Sequence, residues 1–187
     1  MQRTQRRLLL VTPFGLPVIT DLADVERRAQ AVENENLDFR IWLKGSCNLN
    51  PAEIDKLVQQ TTDEVWEKID CTHCANCCRI LPVSVDDEDI AKLASRLDLS
   101  ILDFSERYVR EREGEKQISS KPCVFLEGNL CSVYEDRPKV CRSYPYLHEQ
   151  QFVHRLIGVL THCEVCPIVF NTIQRIKIKL RWRARRG

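Results

Sequence analysis

The sequence predicts a mainly helical α+β fold that is rich in cysteine and carries one small β-hairpin. Three observations support this class: capped amphipathic segments on both sides of residue 71, nine cysteines between residues 71 and 166, and two short strand-like runs around Gly128. At 187 residues and 43% hydrophobic, the chain can bury one ordinary core. We expect residues 1–45 to form an N-terminal segment and residues 46–187 to form the cysteine-rich domain with a basic C-terminal helix.

The first residues imitate a secretion signal in charge and hydrophobicity, but two prolines interrupt the apolar run Leu8–Ile19. The nearest small-residue cleavage pattern, Ala29-Gln-Ala31, lies too far beyond that run. No apolar stretch approaches the roughly 20 residues that a membrane helix needs. We therefore expect a cytoplasmic protein without an integral membrane segment.

Capping signals predict the helices in order. An amphipathic segment covers residues 21–44 and ends at Gly45-Ser46. Asn50 with Glu53 then forms a capping box ahead of a helix from about Pro51 to Lys68, which leads into the cysteines.

Two short helices are predicted after the cysteine cluster, where they should form a helical hairpin. Asp86 with Asp89 starts a helix through about Leu97, and Ser100 with Asp103 starts another through about Arg112. Their inward candidates are Ile90, Leu93, Leu97, Leu102, Phe104 and Tyr108.

The β-hairpin is predicted from Cys123–Leu126 and Leu130–Tyr134 around a glycine turn. A two-residue turn pairs Leu126 with Cys131 and puts Cys123 and Cys131 on opposite faces, because side chains alternate along a strand. A three-residue turn with a bulge puts both on one face, and we expect it if both cysteines ligate one metal centre. Pro138 then suits the first turn of a short helix that carries Cys141.

The cysteine pattern indicates a metal site. Four thiols fall within residues 71–78, and thiolates two residues apart on a tight turn converge on one point. Disulfides are the alternative, because ten cysteines is an even number. The adjacent pair Cys77-Cys78 suits ligation better than two separate bridges in a confined loop. We therefore expect reduced, metal-bound thiols.

The same residues resemble a known family. The order is Cys71-x-x-Cys74-x-x-Cys77-Cys78, Pro122-Cys123-x-Phe125-Leu126, Cys131-Ser-x-Tyr134-Glu-x-Arg137-Pro138, Cys141-Arg142-x-x-Pro145 and Cys163-x-x-Cys166-Pro167. This order is similar to the CxxCxxCC family, also called YkgJ-like cysteine cluster proteins, over about residues 64 to 170. The resemblance implies a zinc or iron site ligated by cysteine, and the related cluster of flagellin lysine methylases suggests iron–sulfur.

Spacing makes iron–sulfur the preferred cofactor. Three cysteines at C-x-x-C-x-x-C spacing with a remote Cys-Pro are typical of a 4Fe–4S cluster, and Cys71, Cys74, Cys77 and Cys166 fit this pattern. Zinc, the alternative, needs only four thiolates in a tetrahedron. More than one four-ligand site can be built, since the candidate ligands are Cys71, Cys74, Cys77, Cys78, Cys123, Cys131, Cys141, Cys163 and Cys166. Arg79, Lys139 and Arg142 are near enough in sequence to offset the negative charge of such a site.

Two functions follow from these residues. The first is a metal-cluster protein that handles electrons or supports a partner enzyme; the alternative is a zinc-stabilised interaction module without catalysis of its own. No phosphate loop, dinucleotide turn or nucleophile elbow appears, so no reaction is assigned. The basic tail Arg175–Gly187 could contact an anionic surface weakly, but Ile173, Ile176 and Leu180 on one stripe favour packing on the core.

Overall fold

The structure, a computed structural model, describes residues 17–184. In this range the helices are α1 (Leu22–Ala31), α2 (Glu33–Gly45), α3 (Pro51–Trp66), α4 (Cys71–Cys74), α5 (Asn76–Ile80), α6 (Asp87–Arg96), α7 (Ile101–Tyr108), α8 (Lys139–Ser143), α9 (Phe152–Leu160) and α10 (Pro167–Lys179), with a 3₁₀ turn at Tyr134–Asp136. The strands are β1 (Val109–Arg112), β2 (Glu115–Ile118), β3 (Leu126–Glu127) and β4 (Leu130–Cys131). They form two antiparallel two-stranded sheets, β1 with β2 and β3 with β4. The mainly helical α+β class is confirmed.

The long helices enclose the larger of two apolar clusters. Helices α1, α2, α3, α9 and α10 each contribute fully buried side chains to it, including Val25, Phe39, Val58, Leu156 and Ile173. The predicted capping box begins α3, since the Asn50 amide oxygen accepts from the Glu53 N–H at 3.0 Å and the Glu53 carboxylate accepts from the Asn50 N–H at 2.8 Å. Residues 22–45 thus pack into the same cluster as α10, while the predicted boundary at residue 45 stays a prediction.

The smaller apolar cluster lies between α6, α7 and the first hairpin. Its fully buried members include Leu93, Phe104, Ile118, Phe125 and Val133. The phenyl rings of Phe104 and Phe125 stack with centroids 6.3 Å apart. The half-buried thiols of Cys123, Cys131 and Cys141 pack against this cluster. The second half of the cysteine pattern therefore rests on a core of its own.

The helix predicted through about Arg112 ends at Tyr108, and that prediction is wrong beyond this residue. The chain turns back at Glu113 and Gly114, which both have positive φ. The residues from Val109 onward therefore form strand β1, which pairs with β2. The inward expectation for Leu102 is also wrong, since this side chain is 69% exposed. Phe104 and Tyr108, four positions apart, lie on one face of α7, and this face packs on the cluster instead.

Helix α10 accounts for most of the basic tail that the structure describes. Ile173 and Ile176 are fully buried, and Leu180 packs on the larger cluster, as the apolar stripe predicts. Lys177 pairs with Glu35 at 2.8 Å and Lys179 with Glu64 at 2.7 Å, so two of the tail cations are held by the body of the protein. Arg185 and Arg186, like the apolar run before residue 17, lie outside the described residues.

A membrane-spanning helix is not found among residues 17–184, because none of the helices there is both long and apolar enough.

Burial along α10 predicts a difference between two isoleucines of the same helix. Ile173 is fully buried, whereas Ile178 is 43% exposed. We expect Ile173→Ala to lower the free energy of unfolding by about 2–5 kcal/mol, because it leaves a cavity in the core. The control Ile178→Ala should cost less than about 1 kcal/mol. Denaturant titrations followed by circular dichroism compare them, and equal losses would contradict this packing of α10.

Candidate metal centre

The C-x-x-C-x-x-C-C segment forms two short helices joined by one left-handed residue. The Asp70 side chain caps α4 by accepting from the Thr72 N–H at 2.8 Å. Ala75 follows at φ 48°, in the left-handed region, and is buried. This residue ends α4 and starts α5 in a new direction, so that cysteines on both sides of it face a common space.

That space is a cavity lined by four of the predicted ligands. Its walls are Ile69, Cys71, Cys74, Ala75, Cys77, Tyr144, Pro145, Val165, Cys166, Pro167 and Ile168. The volume between them is about 350 Å³ when its open side is included. Apart from the thiols and the Tyr144 hydroxyl, the side chains on this wall are apolar. We call Cys71, Cys74, Cys77 and Cys166 the first thiol group.

Cys166 reaches the cavity from a distant part of the chain. It precedes α10, whose first turn it begins by accepting the Phe170 N–H at 3.0 Å. The Asn76 amide donates to the Val165 carbonyl at 2.8 Å and so ties this residue's neighbour to α5. Burial raises the pKa of the Cys166 thiol, while the backbone N–H groups of Val169 and Ile168 oppose that rise. The same N–H groups would stabilise a thiolate at this position.

Tyr144 also lines the cavity, although no sequence motif marks it as a site residue. Its hydroxyl is buried and makes no hydrogen bond of acceptable geometry, although the Cys166 thiol lies beside it. Burial raises the pKa of Tyr144, so the hydroxyl stays protonated and remains a donor. A metal-bound Cys166 would be a thiolate, which accepts a hydrogen bond more strongly than a neutral thiol does. The unpartnered Tyr144 hydroxyl is therefore suitably placed to donate to it. The signal in the sequence was only its place before Pro145.

Cys78, Cys123, Cys131 and Cys141 form a second thiol group on the smaller apolar cluster. The Cys123 N–H donates to the Cys78 carbonyl at 2.9 Å, which joins α5 to the hairpin segment. Burial raises the pKa of Cys141 to about 12, and repulsion from Cys78, Cys123 and Cys131 adds to the effect. All four thiols are half-buried and lie close enough to influence one another electrostatically.

The hairpin register differs from the expected one. Leu126 pairs with Cys131 and Glu127 with Leu130, so the turn has two residues and the three-residue expectation is wrong. Gly128 takes φ 62°, which the first position of a type II′ turn requires. Cys123 nevertheless lies near Cys131 because it precedes β3 and enters a tight turn, in which the Leu126 N–H donates to its carbonyl at 3.0 Å. Strand alternation does not apply to a residue outside the strand.

Cys77 and Cys78 stand where the two groups meet. Their sulfur atoms are 3.9 Å apart, yet Cys77 lines the cavity and Cys78 lies with the second group. Contact with the Cys78 sulfur raises the pKa of Cys77, and the Cys77 thiol lowers the pKa of Cys78 by donating to it. Adjacent positions of a short helix point in different directions, so the two thiols belong to different thiol groups.

Arg79 and Asn129 connect α4 to the tip of the second hairpin. The Arg79 guanidinium donates to the Cys74 carbonyl at 2.8 Å and contacts the Asn129 amide oxygen. The Asn129 amide in turn donates to the His73 carbonyl at 2.9 Å. These bonds fix the orientation of α4 relative to β4, and hence of one thiol group relative to the other.

Two of the three cations expected to offset the charge of the site contact other groups. Lys139 pairs with Asp86 at 2.9 Å and Glu88 at 2.6 Å, and Arg142 donates to the Glu135 carbonyl. Arg79 does act on the thiols, since its charge favours the Cys78 thiolate. Burial raises the pKa of Cys131, and the Arg137 guanidinium opposes that rise.

The remaining candidates lie away from both groups. Cys163 is buried in the larger apolar cluster, where its sulfur is 4.0 Å from the Asn36 amide, and it does not line the cavity. The sequence predicts Cys163 as a metal ligand, but the turn after α9 directs its side chain into the larger cluster, away from both thiol groups. Cys47 packs at the edge of the larger cluster. The His73 side chain, between Cys71 and Cys74 in the sequence, is 85% exposed.

The ten cysteines are free thiols. In residues 17–184, no three His, Cys, Asp or Glu side chains are arranged so that they could hold a metal ion as they stand. Ligation requires the sulfur atoms to turn toward a common point, and rotation about χ1 gives a thiol that freedom. The donor set fits a soft metal, since both groups consist of thiols alone.

The contacts of Arg79 predict a stabilising role. We expect Arg79→Ala to lower the free energy of unfolding by about 1–3 kcal/mol, because it leaves the Cys74 carbonyl, in a part-buried place, and the Asn129 amide oxygen without their charged donor. The control is Arg142→Ala, whose guanidinium reaches one carbonyl at 3.4 Å. Denaturant titration and the rate of proteolysis between residues 70 and 131 measure the effect. An equal change in both variants would remove Arg79 from this role.

The pKa values of Cys71 and Cys141, each raised to about 12, predict that the metal-free chain loses stability in alkali. The ordinary thiol value here is 9.0, so above that pH the unfolded chain binds fewer protons than the folded one. The contribution of these thiols is complete below pH 9 and is lost as pH rises toward 12. Denaturant titrations of metal-free protein at several pH values should show a steeper decline for the wild type than for Cys141→Ser. Equal slopes would contradict the prediction.

Comparison with known proteins agrees with the geometry. No solved structure matches the chain. A family model, CxxCxxCC, described as "Putative zinc- or iron-chelating domain", matches residues 70–166. This range begins at the cap of α4 and ends at Cys166, so it contains both thiol groups. The chain therefore belongs to the CxxCxxCC family of zinc- or iron-chelating domains.

Proposed function

We propose that the first thiol group holds an iron–sulfur cluster of the 4Fe–4S type and that the protein passes electrons to, or otherwise supports, a partner protein. One observation carries the proposal: Cys71, Cys74, Cys77 and Cys166 line one cavity. These are the four cysteines whose spacing, C-x-x-C-x-x-C with a remote Cys-Pro, is typical of such clusters.

The surroundings of the first group would tune such a cluster. Apolar neighbours such as Ile69, Val165 and Ile168 keep water from most of the wall. Donors to the sulfur atoms are at hand in the Ile168 and Val169 N–H groups and in the buried Tyr144 hydroxyl. Hydrogen bonds to sulfur and low solvent exposure are the protein's means of setting a reduction potential. When bound, the cluster would supply one-electron transfer.

Cys71 gives the first group an edge at the surface. Its residue is exposed, whereas Cys166, on the far wall, is buried. An electron could therefore enter or leave on the α4 side, where a partner protein can approach closely. The buried side rests on α10 and the larger apolar cluster, which would hold the ligands still during transfer.

The alternative function, a zinc-stabilised interaction module, is favoured by the short elements of residues 70–145. Four-residue and five-residue helices and two-residue strands do not hold a fold by themselves, so a structural ion would suit them. In that case both thiol groups would bind zinc and neither would carry electrons.

Anaerobic purification tests the proposal. We expect a coloured protein with broad visible absorption and iron with acid-labile sulfide, and we expect Cys77→Ser to lose the colour. The matched control is Cys47→Ser, because Cys47 lies at the edge of the larger cluster, outside the cavity. A colourless wild type that holds zinc alone, before and after anaerobic incubation with iron and sulfide, would establish the alternative instead.

A further inference from the structure

We propose that Cys78, Cys123, Cys131 and Cys141 form a second and separate metal centre, in which four thiolates enclose one divalent ion of zinc chemistry and so stabilise the smaller apolar cluster. The proposal goes beyond the function given above, because it does not depend on what the first thiol group binds. Four thiol ligands without an open position are typical of structural zinc sites.

Three local structures bring these four thiols together. The Cys123 N–H bonds to the Cys78 carbonyl at 2.9 Å, so the segment that precedes β3 is fixed against α5. The two-residue turn at Gly128 returns the chain to Cys131 on β4. Helix α8 adds Cys141, which packs on the same cluster as Cys123 and Cys131.

A buried carboxylate fixes the helix that carries Cys141. Asp89 is only 4% exposed and accepts the Lys139 N–H at 3.1 Å, which orients the first turn of α8. The Lys139 side chain reaches Asp86 and Glu88 on the first turn of α6. Two independent ties thus hold the start of α8 against α6.

The two groups rest on different cores. Cys166 belongs to the larger cluster, which has nineteen buried members, and Cys123, Cys131 and Cys141 pack on the smaller one, which has nine. The two groups touch at Cys77 and Cys78, with 3.9 Å between their sulfur atoms. Since this distance would also suit two ligands of one ion, separate centres and one shared centre must be distinguished by experiment.

The smaller cluster needs a crosslink more than the larger one. Two-stranded hairpins are marginally stable alone, and β1–β2 and β3–β4 are both of this kind. An ion bound by Cys78, Cys123, Cys131 and Cys141 would close three loops of the chain, and closing them costs entropy. A tetrathiolate ion would offset that cost, because the binding energy of a structural zinc ion is also folding energy.

Metal content of paired variants tests the proposal in the full chain. We expect Cys141→Ser to lose one equivalent of zinc and to keep whatever metal the first group holds. Cys77→Ser should show the reverse, and Cys47→Ser should keep all metal. Loss of all metal from both Cys141→Ser and Cys77→Ser would indicate one shared centre and overturn the proposal, as would full metal retention by Cys141→Ser.

Thiol labelling of the wild type keeps the test independent of whether the variants fold. A zinc chelator is added to the native protein, and the alkylated cysteines are identified by mass spectrometry. We expect Cys78, Cys123, Cys131 and Cys141 to become reactive together as one equivalent of zinc is released, while Cys74, Cys77 and Cys166 change separately. Exposure of all these thiols on release of a single equivalent of zinc, or zinc release without exposure of Cys141, would overturn the proposal. If the first group also holds zinc, a second equivalent is released together with exposure of Cys74, Cys77 and Cys166, so failure of the iron–sulfur assignment is told apart from failure of the second centre.

Discussion

The turn at Ala75 is the constraint on which the arrangement of the site depends. Its left-handed backbone ends α4 and redirects α5, so that Cys71, Cys74 and Cys77 face one cavity while Cys78 faces the hairpin. Ala75 is buried, and Arg79 and Asn129 hold the neighbouring carbonyl groups of α4. Without this turn a continuous helix would place the four thiols in a row along one face, with Cys71 and Cys77 about 9 Å apart along the axis.

Two apolar clusters meet at this turn, and each supports one thiol group. The larger cluster includes Cys166, which is buried at the start of α10. The smaller cluster supplies Cys123, Cys131 and Cys141 from segments that have little regular structure. The site is thus a junction between cores, where metal binding and folding of residues 70–145 would be coupled.

Local signals in the sequence predicted much of this and failed where pairing was decided at a distance. Caps at Asn50 and Asp86 predicted α3 and α6, because a capping box depends on residues three apart. The strand after Tyr108 was missed, because it forms by pairing with Glu115–Ile118 rather than by its own propensity. The hairpin register was misjudged, because Cys123 was placed in a strand that begins only at Leu126.

Spacing also predicted the first thiol group, while the division of the other thiols needed three dimensions. Cys163 fits the C-x-x-C pattern with Cys166, yet the turn after α9 buries it among the helices. Tyr144 shows no motif of its own, and only its buried hydroxyl beside the Cys166 thiol indicates a role. Sequence spacing specifies which thiols can converge; packing decides which do.

X-ray absorption of the native, anaerobically purified protein tests the central claim most directly, because it reports the ligands of iron and zinc separately in one sample. The account predicts iron surrounded by sulfur with a short iron–iron contact, and zinc surrounded by four sulfur atoms at about 2.3 Å. Zinc bound by nitrogen or oxygen, or iron without a neighbouring iron atom, would contradict it.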